Sequence, residues 1–322
     1  MTKYLEKIKK DIDETELSVV SKKVIKSTLN KIDKMNETSQ DKYKNPDDLI
    51  KLISLFLKNN ENLNTSHTFI AHIKSVLKHT TLKDIISETD QNEIAYLFLK
   101  YKKLKERKND TEEPSNKHQE NYIPYDDLVK KYKQVKDKLN WKDKLMYGLY
   151  VLQPPLRADY GDVKLILESD KTDYSDINEN YFLIDKSKFI FNQYKGNKVM
   201  NKDGEFTHKP LIFDVDEEVY DLIYESIEVR LKFEGEFRTY LIENRFGNAM
   251  KYNTLSKNIA RISMLIFGKK ISINELQTIY CSRFQSQDKD CAIETLIEDS
   301  NKMGHSLEFH IKKYMKNYLK PK

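Results

Sequence analysis

Residues 303–316 read MGHSLEFHIKKYMK. In a chain of 322 residues with eight glycines, Gly304 and His305 stand side by side, and Tyr314 follows nine positions after the histidine. Glycine can end a turn, because it takes backbone conformations that a Cβ would forbid. A helix after such a turn would carry Tyr314. The stretch has two readings: a capping histidine with a packing tyrosine, or two side chains set to work together on one group. Its company elsewhere in the chain decides between them.

Upstream of this stretch, DEEVYDLIYESIEVRLKF (216–233) opens a pattern that stays helical to the carboxyl terminus. Before it come four short strand-like runs. They are DVKLIL (162–167), NYFLID (180–185), KFIFNQY (188–194) and KPLIFDV (209–215), the last beyond a turn at NKDG (201–204). A helix over 124–153 precedes them and stops at Pro154 and Pro155, whose rings remove amide donors and disfavour helix in the residue before. Further upstream, ERKNDTEEPSNKHQEN (106–121) has no apolar residue and reads as a linker. DDLIKLISLFLKNN (47–60), SHTFIAHIKSVLKHT (66–80) and QNEIAYLFLKYKKLKERK (91–108) space apolar residues three and four apart, as amphipathic helices do. The expected organisation is a helical arm over 1–45, a helical domain over 46–105, the linker over 106–121 and a second domain over 122–322. The expected class is mainly α with a small antiparallel sheet.

Composition narrows the field. Charged residues make up 33% and hydrophobic residues 39%, the balance of a soluble globular chain, and the net charge of +5 permits a polyanionic partner. No apolar run approaches a bilayer span, and the opening MTKYLEKIKKDIDETEL lacks the apolar core of a secretory signal, so an intracellular location without a membrane partner is expected. Cys281 and Cys291 are the only cysteines and no histidine cluster accompanies them, which argues against a disulfide framework or a metal site.

Four landmarks then fall in order: Arg157 after the proline break, Lys195 in FNQYKGNK near the tip of the sheet, the helix beginning at KKISINELQTIY, and MGHS with Tyr314. Their order and spacing over about residues 120–318 resemble the catalytic domain of the tyrosine recombinases, in particular the divergent integrase-like members of large DNA viruses and mobile elements. The helical region before it resembles, more weakly, their DNA-clamping core-binding domain. The resemblance implies DNA strand cleavage and rejoining through a 3′-phosphotyrosyl intermediate. Tyr314 would be the nucleophile, and Arg157, Lys195 and His305 would assist. Lys198 competes with Lys195 for the hairpin role, and Tyr318 with Tyr314. The chemistry requires no cofactor and no metal: a tyrosine oxygen attacks phosphorus, guanidinium forks hold the nonbridging oxygens, and a lysine protonates the leaving oxygen.

One position departs from the pattern. Where the family has a motif like His-x-Leu-Arg-His, this chain has Asn274, Leu276, Gln277 and Thr278. Gln277 can donate hydrogen bonds but brings no charge and no fork. Arg283, six residues on, should face another side of the helix. An alternative function is therefore a DNA-binding or architectural protein with an impaired site. For either, the partner implied is double-stranded DNA, held by a homo-oligomer. The tract KYKKLKERK offers Lys100, Lys102, Lys103, Lys105, Arg107 and Lys108 to DNA phosphates against one acidic residue.

Overall fold

The computed structural model describes residues 2–38, 45, 48–109, 116–170, 173–194, 198–200, 206–235, 237–283 and 293–316. Contacts divide the chain into two units, Met1–Thr111 and Glu112–Lys322.

The first unit is helical: α1 (Thr2–Glu14), α2 (Val19–Thr38), α3 (Leu49–Lys58), α4 (Leu63–His79) and α5 (Glu88–Asn109). Apolar residues at helical spacing bury one stripe of each helix in a shared core. Leu5, Ile8 and Ile12 of α1 and Ile25, Leu29 and Ile32 of α2 meet Ile70 and Ile73 of α4 there. Phe56 and Phe69 stack at 3.8 Å between centroids. The stretch read as a separate arm thus places its first two helices in this core. Asn62 starts α4 by accepting the amides of Asn64 and Thr65.

In the second unit, α6 (Asn116–Asn121) and α7 (Tyr125–Val135) precede α8 (Trp141–Val151), which is buried on nearly every side. Asn140 caps α8 through the Asp143 amide. Strands β1 (Val163–Ile166), β2 (Asn180–Leu183), β3 (Lys188–Phe191) and β6 (Leu211–Asp214) form one sheet in the order β1-β2-β3-β6, while β4 (Lys198–Met200) pairs with β5 (Phe206–His208). Helices α9 (Glu217–Glu234), α10 (Tyr252–Phe267), α11 (Ile273–Cys281), α12 (Ile293–Lys302) and α13 (Leu307–Phe309) complete it, the last running into a π-helical turn, His310–Tyr314. The described residues are mainly α, with one small four-stranded sheet and a two-stranded ribbon.

That sheet is mixed rather than antiparallel. β1 pairs with β2 in parallel, Val163 opposite Asn180, and the other neighbours are antiparallel. The reason lies in the connection: residues 167–179 are long enough to return the chain to the same end, whereas an antiparallel pair is joined by a short turn. Asn180 locks the register, donating to Asp162 and to the Gln193 carbonyl while accepting the Gln193 amide.

A close backbone approach anchors the segment after Arg157. The Met250 amide donates to the Gly161 carbonyl at 2.8 Å, and a Cβ on Gly161 would lie 2.1 Å from the Met250 carbonyl oxygen. Backbone cannot yield as a flexible side chain does. Gly161→Ala is therefore expected to cost about 3 kcal/mol, the upper end of an overpacking penalty, read as a lower urea midpoint with an unchanged slope.

Candidate active site

Arg157 owes its place to the proline break. With α8 ended, residues 152–157 run across the unit, and a short 3-10 turn, Ala158–Asp162, leads into β1. The Tyr150 hydroxyl donates to the Arg157 carbonyl at 2.8 Å, and the Gln277 amide donates to the Pro155 carbonyl at 3.2 Å. The backbone on either side of Leu156 is thus pinned from α8 and α11, leaving the half-buried guanidinium projecting from a fixed base.

Gly304 ends α12 in the left-handed conformation (φ 67°), and the His305 amide closes the turn on the Ser300 carbonyl at 3.0 Å. Ser306 then caps α13 through the Phe309 amide. The next turn widens to π geometry, with the Met315 amide reaching back to the His310 carbonyl. His310 and Tyr314 consequently both point inward, while 311–313 stay exposed.

These elements bring Arg157, His305 and Tyr314 together. The Arg157 guanidinium lies beside the Tyr314 hydroxyl, near enough to act on its charge. The His305 and Tyr314 rings lie 5.2 Å apart between centroids. Tyr314 is 2% exposed and packs with Tyr280, Cys281 and Met303. Burial raises its phenol above the usual range, and the Arg157 guanidinium opposes that rise.

Two features had no signal in the motif. His310, fully buried, shares a hydrogen bond between its Nδ1 and His305 Nε2 at 3.0 Å, and its own Nε2 has no partner. A histidine five residues after another gives no sequence hint of contact, because a regular helix would set them on different faces; the turn and the π geometry make the pair. Asp159 is the second: burial and the nearby Asp162 push its carboxyl up to about 6, while Arg157 draws it down.

Burial first, then the charges of His310 and Arg157, press the His305 imidazole down to about 3, and burial also lowers His310. Folded His305 therefore binds fewer protons than unfolded His305 from pH 6.5 down to about 3, and stability falls as acid is added through that window. Between pH 7 and pH 5 the wild type should lose roughly 1–2 kcal/mol more than His305→Gln in urea unfolding. Equal losses would contradict this.

Gln277 is 1% exposed and its Oε1 has no partner. Asn274 is exposed one turn earlier, its carbonyl accepting from Thr278. Neither nearby arginine replaces the missing charge: Arg261 pairs with Asp143 and Arg283 with Asp299, each at 2.5 Å. Lys195, Tyr318 and Cys291 lie outside the described residues, as do the side chains of Lys198 and Lys108. On α5, Lys100, Lys102, Lys103 and Arg107 are exposed and Lys105 is half-buried, with Lys102 3.8 Å from Glu106. Among the described residues, no group of three or more His, Cys, Asp or Glu is placed to hold a metal ion, and no helix is long and apolar enough to cross a membrane.

No family model matches the chain, and no curated protein matches it. Among solved structures, the chain is similar to a crystal structure of XerA recombinase at 13% identity, covering 98% of this chain and 94% of that one, with a TM-score of 0.41.

Proposed function

We propose that this chain is a tyrosine-recombinase-like protein that cleaves and rejoins double-stranded DNA through Tyr314. The observation that carries the reading is the Arg157 guanidinium beside the buried Tyr314 hydroxyl, with the His305 ring next to it. A tyrosine that merely packs does not need an arginine on its oxygen.

In the proposed reaction, Tyr314 Oη attacks a DNA phosphorus and the bond to the deoxyribose 5′-oxygen breaks, leaving a 3′-phosphotyrosyl link that stores the energy for resealing. Arg157 transfers its fork from the hydroxyl to the nonbridging oxygens as charge moves onto them. His305 adds a ring donor, and Lys195 is the proposed source of the leaving oxygen's proton. Because Tyr314 is 2% exposed, segment 303–316 must shift to admit a phosphate. Two hydrogen bonds on Ser282, to the Tyr314 carbonyl and from the Lys316 amide, hold the end of that segment. The exposed cations of α5 would bind phosphates along the duplex, with assembly as a homo-oligomer on DNA.

Neutral Gln277, held by the Pro155 carbonyl, favours a second reading: DNA binding without turnover. Incubation with nicked suicide duplexes from the native genome, followed by denaturing electrophoresis, separates them. A DNA-linked band whose digest carries the nucleotide on Tyr314 supports cleavage. DNA binding with no such band supports the second reading.

A further inference from the structure

None of the roles above uses Lys313. Side chains one residue apart on a regular helix diverge by about 100° and do not meet. Here the π turn ends at Tyr314 and the backbone becomes extended at Met315. The lysine folds back, so that its Nζ lies 3.4 Å from the Tyr314 hydroxyl oxygen. The same ammonium stands 4.8 Å from the ring centroids of both Tyr314 and Phe309. Its charge also reaches His305, where it opposes protonation. The reacting oxygen thus has two cations beside it, Arg157 and Lys313, in a site where Gln277 brings none.

We propose that Lys313 is a catalytic residue for Tyr314, a second cation that stabilises the phenolate from which attack on phosphorus begins. This rests on the strand-cleavage reading of Tyr314. The Tyr314 O–H bond breaks with its proton leaving to solvent, and the electron pair on Oη forms the new bond to phosphorus as the bond to the 5′-oxygen breaks. Lys313 keeps its own proton throughout. Burial makes the phenolate costly, and an adjacent ammonium offsets part of that cost most cheaply, since it needs no rearrangement at the moment of reaction.

The test separates this claim from the strand-cleavage reading. 3-Fluorotyrosine placed at 314 reports the phenol titration by 19F NMR in the DNA-free protein. Lys313→Gln should raise the midpoint by about one unit, and Lys313→Arg should return it toward the wild-type value. Lys312→Gln removes the same net charge from a residue paired with Glu308, and should move the midpoint far less. Equal shifts in the two glutamine variants, or no shift in either, overturn the proposal. In suicide-duplex trapping, Lys313→Gln should slow covalent complex formation about tenfold at a fixed pH, with the rate recovering as pH rises by one unit. A rate equal to wild type overturns the catalytic role even if the midpoint moves. No complex from any variant, wild type included, overturns the catalytic role together with the strand-cleavage reading, whereas the titration still decides whether Lys313 charges the hydroxyl.

Discussion

Tyr314→Phe should abolish the DNA-linked protein band completely while leaving the fold and DNA binding in place. The ring packs among Tyr280, Cys281 and Met303, and phenylalanine keeps that packing. What is lost is one oxygen that accepts from Lys313 and lies beside the Arg157 guanidinium. Removing such a bond costs about 1 kcal/mol of stability, and Lys313 is exposed enough to regain water. Chemistry has no such fallback, because no other group at that point can form the phosphotyrosyl bond. The control is Arg157→Lys, which keeps the charge and loses the fork. It should reduce covalent complex formation on the order of 100-fold, the scale of a lost transition-state donor, without eliminating it. A band that survives in Tyr314→Phe would move the nucleophile elsewhere, with Tyr318 the first residue to examine.

Gln277→Arg should have the opposite sign, raising covalent complex formation on the order of 100- to 1,000-fold. Gln277 lies on α11 with its side chain against the Pro155 carbonyl, two residues from Arg157, so a guanidinium at 277 would extend from beside the backbone that carries Arg157. The change also removes an unpartnered buried carbonyl, Oε1. Against this stands space: at 1% exposure the longer side chain must displace neighbours, an overpacking cost of about 1–3 kcal/mol. Urea unfolding and suicide-duplex trapping on the same preparation separate the two effects. A folded variant with no gain would mean that α11 is not aimed at the reacting phosphate.

Much of the architecture was legible because it is local. Pro154 and Pro155 stop α8 wherever the rest of the chain goes, and apolar alternation marks β1, β2, β3 and β6 without any knowledge of their partners. Pairing direction is not local. The parallel β1–β2 contact depends on bonds from the connection to the residues just after β3, the Asp176 and Ile177 carbonyls accepting from Asn192 and Gln193, which short-range patterning does not reveal. Among the site residues, Gly304 announces its turn, since its left-handed backbone is what glycine tolerates best. His310 announces nothing: its contact with His305 arises from a cap, a short helix and a π turn in succession.

By itself, and without showing β4, β5 or the break between α7 and α8, the sequence determined the helical stretches, the stop at Pro154 and Pro155, the four runs that form the larger sheet, and that Arg157, His305 and Tyr314 stand in a suggestive order. Those features follow from backbone sterics and hydrophobic spacing, which act over a few residues. Only the tertiary structure decided that Arg157 comes beside the Tyr314 hydroxyl across more than 150 positions of chain, that Arg261 and Arg283 are paired with aspartates, and that Lys313 folds back onto the same oxygen. Distance in space, burial and the local dielectric set those pairings, and they exist once the core around α8 has brought distant segments together.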